Sequence, residues 1–142
     1  MKPYPVLRAL LIAASLSFVS IGRADDSAYV QVIKKREAVL SEILSVREAK
    51  FAAGACDEAA VFSARLALLT FRRNVAPTVA GKISQQEVIE HILAEELAVL
   101  ERQSTGGTGD REGLLVAREA LLQADQLLEE LRLQLKNSQS ER

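Results

Sequence analysis

The fold of this chain is most constrained by an internal repeat, in which one stretch of sequence returns 53 positions later. Gly54 and Asp57 begin the first copy, Gly107 and Asp110 begin the second, and an Ala/Leu-rich run follows each aspartate. Other identities at this offset are Glu37/Glu90, Leu40/Leu93, Glu48/Glu101, Ala64/Ala117, Arg65/Arg118 and Leu68/Leu121. Unrelated amphipathic helices share leucine and glutamate through composition, but rarely a glycine and an aspartate in register. We therefore interpret the chain as one supersecondary unit used twice.

Each copy has the pattern of a helix, a tight turn and a second helix. The apolar residues on both sides of the turn follow the three-and-four spacing of amphipathic helices. A glycine after the last helical residue is a favoured left-handed stop, and an aspartate is a favoured N-cap of the next helix. The sequence thus predicts an all-α fold with two antiparallel helical hairpins, which form an up-down-up-down four-helix bundle or coiled coil. The apolar stripes are wide enough to bury one another within a subunit or between subunits.

Proline and glycine divide the rest of the chain. Pro77 and Gly81 interrupt the helical pattern and predict a link between the hairpins. Ser84 and Glu87 have the spacing of a capping box, which predicts the start of the third helix. The resulting segments are hairpin 1 (25–75), a linker (76–83), hairpin 2 (84–136) and a frayed polar tail (137–142).

Residues 1–24 have the pattern of an export signal. Lys2 and Arg8 precede an apolar run over 9–21, and small residues at Gly22 and Ala24 suit a cleavage site. This run is shorter than the roughly 20 residues that a spanning helix needs. We therefore expect a cleaved signal, a periplasmic or secreted protein and no transmembrane segment after signal removal. A retained N-terminal anchor is the alternative.

The charge of the mature chain argues against a nucleic-acid partner. The signal segment carries Lys2, Arg8 and Arg23 but no acidic residue, so its removal leaves 15 basic and 19 acidic residues and a formal net charge of −4. Phosphate backbones call for a clustered excess of lysine and arginine. We expect a protein partner in the cell envelope or self-association instead.

Few residues could carry chemistry. Cys56 is the only cysteine, and at a predicted exposed tip it would either form a disulfide with a partner or with a second copy, or remain an incidental thiol. Glu87 and His91 share a helix face and could form one edge of a metal site, or be solvated. Arg65 and Arg118 could bind an acidic partner or form ion pairs between neighbouring helices. We predict no catalytic, cofactor-binding or metal-binding residues and no enzyme.

The two turns resemble the periplasmic hairpin tips of the outer-membrane efflux duct family, whose type member is TolC. Tips of that family carry a glycine, an aliphatic residue at about +8, an alanine at +10 and a leucine or similar residue beyond. The corresponding residues here are Gly54, Phe62, Ala64 and Leu68 in hairpin 1 and Gly107, Leu115, Ala117 and Leu121 in hairpin 2. The resemblance covers roughly residues 30–135 and does not extend to the strands that the family places between its helices.

Two functions follow as hypotheses. The first is a non-enzymatic exported protein that acts through helix–helix contacts and is linked to an efflux or envelope complex, as the resemblance implies. Its candidate interaction tips contain Gly54, Cys56, Asp57, Gly107 and Asp110. The alternative is a small periplasmic chaperone-like or ligand-binding four-helix protein with an apolar helical surface.

Overall fold

A computed structural model describes residues 26–105 and 111–140. Within these residues the fold is all-α and contains four helices and no strand, as predicted. The helices are α1 (Asp26–Ala52), α2 (Glu58–Val75), α3 (Val79–Thr105) and α4 (Arg111–Ser140). The export-signal segment and the second predicted tip, with Gly107 and Asp110, lie outside the described residues.

Ion pairs between neighbouring helices show that the helices of each hairpin run antiparallel. As the residue number rises along α2 or α4, the number of the partner on the preceding helix falls. The pairs are Arg65–Glu48 (3.3 Å), Arg72–Glu37 (2.7 Å), Arg118–Glu101 (2.9 Å) and Arg132–Glu87 (3.2 Å). The interhelical ion pairs expected of Arg65 and Arg118 are therefore confirmed. All four are exposed enough to orient the helices while adding little free energy of folding.

The turn between α1 and α2 forms as predicted. Gly54 has a φ of 69°, the left-handed conformation that reverses the chain after a helix. The Ala55 N–H donates to the Lys50 carbonyl at 2.7 Å, which satisfies one of the last carbonyls of α1. Asp57 is the N-cap of α2, because its Oδ1 accepts the Ala60 N–H at 2.9 Å. The sequence thus predicted both the stop of one helix and the start of the next.

The link between the hairpins is shorter than the predicted 76–83, because α3 begins at Val79. Thr78 Oγ1 accepts the Gly81 N–H at 3.0 Å and so caps the first turn of α3. Ser84 lies inside α3, and its predicted role in a capping box is wrong. Gly81 is likewise helical rather than part of a loop.

The predicted frayed tail is also helical up to Ser140, the end of α4. The Ser138 hydroxyl donates to the Leu135 carbonyl at 2.7 Å, and the Ser140 hydroxyl donates to the Lys136 carbonyl at 3.1 Å. Both bonds are local to the last turns of α4, where the serine hydroxyls share helix carbonyls with backbone N–H groups.

The buried core residues of the described chain belong to α2, α3 and α4. The apolar ones are Val61, Ala64, Leu68 and Phe71 from α2, Ile89 from α3, and Ala124, Leu128 and Leu131 from α4. Extensive contact joins α1 to α2, α2 to α3 and α3 to α4, the helices that are consecutive in the chain. The described part of α1 contributes no buried residue and covers one side of α2.

Gln86 links three of the helices through hydrogen bonds. Its side chain on α3 is only 1% exposed. Its Nε2 donates to the Ala124 carbonyl of α4 at 2.9 Å, and its Oε1 accepts from Arg73 Nη1 of α2 at 2.7 Å. Burial lowers the pKa of the Arg73 guanidinium from its ordinary value, so this charge depends on its polar contacts inside the bundle.

We predict that Gln86→Leu lowers the free energy of unfolding by about 1–3 kcal/mol, because it removes the acceptor of a half-buried Arg73 N–H and the second donor to the Ala124 carbonyl, which keeps only its bond within α4. Urea denaturation of the purified protein measures the change. Gln126→Leu is the matched control, since Gln126 is exposed and bonds only to Glu130 on its own helix. Its effect should stay within about 0.5 kcal/mol. Equal losses in the two variants would contradict the linking role of Gln86.

Candidate functional site

The tip of hairpin 1 holds three of the predicted interaction residues together. Gly54 and Asp57 are exposed in the turn. A Cβ built on Gly54 would meet no atom within 4 Å, so only the backbone conformation requires glycine there and space remains around it. The turn therefore presents a small, open surface beyond the ends of α1 and α2.

Cys56 is half-buried, which corrects the prediction of an exposed thiol. Its Sγ donates to the Arg47 carbonyl at 3.4 Å, a contact permitted for sulfur. The turn folds back along α1 and places the thiol against the last turns of that helix. Cys56 therefore contributes to the packing of the tip.

A groove beside this tip, which we call the tip groove, is formed by α1, α2 and α3. It has a volume of about 510 Å³ and is open to solvent. Apolar side chains of the groove include Phe51, Phe62, Ile92 and Val99. Its charged side chains are four carboxylates and two guanidinium groups, from Glu48, Glu58, Glu95, Glu96, Arg65 and Arg102. This combination of apolar surface and several carboxylates suits an amphipathic ligand with a positive charge.

Among the titratable side chains that line the groove, the Glu96 carboxyl is the one whose pKa its surroundings shift. Partial burial raises the pKa of its carboxyl, and the negative charge of Glu58 raises it further. A cation bound between Glu58 and Glu96 would relieve this repulsion. No sequence pattern indicated the pair, because the two residues are far apart in the chain and meet only when α2 packs on α3.

We predict that Glu96→Gln stabilises the fold increasingly as the pH rises above about 4.5. At low pH the side chain is neutral in the folded and the unfolded state, and the variant should differ little from the parent. As the pH rises through the raised pKa of the folded state, the parent must ionise a carboxyl in an unfavourable place and loses stability. Thermal unfolding between pH 3 and pH 8, a range chosen around ordinary carboxyl titration, measures the difference.

Glu130→Gln on α4 controls for the general effect of removing one negative charge far from the tip groove. A gap between Glu96→Gln and the parent that stays constant with pH, or that grows equally in Glu130→Gln, would contradict the assigned environment of Glu96.

The residues considered for a metal site are held by other partners. His91 Nε2 lies 3.4 Å from Glu95 Oε1, on the exposed side of α3. Glu87 instead pairs with Arg132 of α4. In the part of the chain that the structure describes, no group of three or more histidine, cysteine, aspartate or glutamate side chains could hold a metal ion.

Large apolar side chains of α1 and α4 remain exposed, a feature that the sequence reasoning did not assign to particular residues. The α1 face consists of Val32, Val39, Ile43 and Val46, and the α4 face consists of Leu115, Leu122 and Leu133. Val32 and Leu122 are the most exposed of these, at 62% and 63%. A signal was present in the sequence, because Ile33, Leu40 and Leu44 form a second stripe on α1 and one helix side cannot bury both. Contact with α2 partly buries this second stripe, whereas the α1 face stays exposed to solvent.

The described part of the chain is therefore an all-α fold of four helices, with an exposed turn, an open groove that carries more carboxylates than arginines, and two exposed apolar helix faces. No helix in residues 26–105 and 111–140 combines the length and the apolar character that crossing a membrane requires. Comparison of the chain with protein families, with curated proteins and with solved structures finds no match.

Proposed function

We propose that this protein is a non-enzymatic exported protein that acts through helix–helix contacts with a protein partner in the cell envelope. The observation that carries the proposal is the bare apolar surface of α1 and α4. Large apolar side chains exposed along one side of a helix are typical of surfaces that bind other proteins. Long helices with such faces bind other helices by inserting side chains between those of the partner.

The link to an efflux complex is the more specific part of the proposal. It is supported by the likeness of the hairpin tips to those of the efflux duct family and by the exposure of Gly54 in the turn. Ala64 and Leu68, which share in that likeness, are buried in the core. These two residues therefore stabilise the hairpin, and we assign the contact with a partner to the turn itself.

Cross-linking at the tip tests this proposal. A photo-cross-linking residue replaces Ala55, which is exposed in the turn, or Ala67, which is exposed halfway along α2. We expect the tip position alone to form a discrete adduct with an envelope protein in producing cells. Gly54→Leu should abolish the adduct while circular dichroism shows unchanged helicity. Equal adducts from both positions, or a tip adduct that survives Gly54→Leu, would remove the tip from the mechanism.

The same preparation tests export. The mass of the protein recovered from the periplasmic fraction or the medium should correspond to residues 25–142. A chain that retains residues 1–24 would contradict cleavage of the signal.

The tip groove favours a second candidate function, a small ligand-binding or chaperone-like protein. Its apolar lining and its Glu58–Glu96 pair suit a lipophilic cation. We expect tetraphenylphosphonium to bind the purified protein in calorimetric titration and Glu58→Gln to weaken that binding several-fold, since half of the paired negative charge is lost. A neutral aromatic compound of similar size is the control. Absence of binding, or equal binding of the neutral compound, would count against this function.

A further inference from the structure

The geometry points to head-to-tail self-association, in which the α4 face of one copy packs against the α1 face of the next. This inference does not rest on the role of the tip, because it uses other surfaces. Its template is a contact already present within the chain, the packing of α2 against α3.

The template contact joins the second helix of hairpin 1 to the first helix of hairpin 2. Phe62 of α2 and Ile92 and Val99 of α3 line one groove. Glu58 lies close enough to Glu96 to raise its pKa. Arg73 reaches Gln86 at the other end of the interface. These neighbours show that α2 and α3 run antiparallel with the start of α2 beside the second half of α3.

The two hairpins carry equivalent contacts at the offset of 53 residues. Arg65 pairs with Glu48 in hairpin 1, and Arg118 pairs with Glu101 in hairpin 2, so both members of the pair shift by the same offset. The α1–α2 and α3–α4 contacts thus share one register. The α2–α3 contact has no counterpart within a single chain, since extensive contact joins only consecutive helices.

The offset identifies the residues that such a counterpart would use. On α3, the template residues Ile92, Glu96 and Val99 correspond to Val39, Ile43 and Val46, three members of the α1 face. On α2, the template residue Phe62 corresponds to Leu115, a member of the α4 face. Val39 and Leu115 are 54% and 55% exposed. The bare faces are therefore the two surfaces that the repeat leaves without a partner.

The contact between copies would also lack two unfavourable features of the template. Glu58 and Glu96 repel each other in the template. At the corresponding positions, the contact between copies has Arg111 of α4 and Ile43 of α1. Gln85 Oε1 is buried without a hydrogen-bond partner in the template helix, and Val32 stands at the corresponding position on α1. Both changes lower the cost of burying this surface.

Charge supports the same pairing. In the template register, Arg111 on the α4 side comes alongside Glu42, which precedes Ile43 on α1. Because the two faces differ from each other, the contact is heterologous and adds copies into a ring or a row.

Two variants, each of which blocks one face, test the inference. Val39→Glu places a carboxylate on the α1 face, and Leu122→Glu places one on the α4 face. Val88→Glu is the matched control, because Val88 is 42% exposed on α3 and belongs to neither face. Sedimentation of the mature chain is measured over a concentration series in reductant, so that Cys56 disulfides play no part. Circular dichroism verifies that each variant remains helical.

We expect the parent and Val88→Glu to form assemblies larger than one chain. Each face variant alone should weaken association by at least about tenfold, because a carboxylate would have to leave water against an apolar surface. A mixture of Val39→Glu with Leu122→Glu should form a heterodimer, since one copy still has an intact α1 face and the other an intact α4 face.

Three results would overturn the inference. A parent that stays a single chain at every concentration would show that the faces bind something other than a second copy. Association that survives in either face variant would show that like faces pair with each other. Failure of the mixture to form a heterodimer, with both variants folded, would exclude head-to-tail contact.

Discussion

The side chain of Gln86 holds the centre of the bundle together. It receives a charged donor from α2 and donates to a backbone carbonyl of α4, and it is almost wholly buried. A buried amide with both partners in place tolerates little displacement, because either helix that moved would leave a polar group without a bond. Gln86 therefore fixes α2 and α4 relative to α3, and the apolar residues around it pack in that arrangement.

The outward sides of α1 and α4 have a different role. α1 is joined to α2 by exposed ion pairs and by its half-buried second stripe, and its α1 face stays exposed to solvent. α4 is fixed along α3 but exposes leucines on its far side. Extensive packing of consecutive helices alone gives a row whose two ends carry apolar faces. This arrangement is the physical basis for expecting function through contact with another helix.

Where prediction from the sequence succeeded, local chemistry decides the structure. The structural roles of Gly54 and Asp57 depend only on residues a few positions away. Few residue types adopt the left-handed conformation after a helix or accept the hydrogen bond at an N-cap as readily. Ser84 shows the limit of the same reasoning. Its capping pattern is valid, but Thr78 caps an earlier turn, and a helix begun at Val79 continues through Ser84. Cys56 and Glu96 were beyond prediction, because their burial depends on how neighbouring helices meet.

The sequence by itself determined that the described chain is all-α, where the first turn lies, the antiparallel order within each hairpin and the offset of 53 residues at which the pattern recurs. These follow from periodicity, caps and stops, which are short-range. Only the tertiary structure decided which of the two apolar stripes of α1 is covered, that Glu58 and Glu96 share one groove, and that the α1 and α4 faces stay bare. An isolated helix exposes all of its sides, so its sequence pattern does not specify which side packs against a neighbouring helix. That choice is made by packing between residues far apart in the chain.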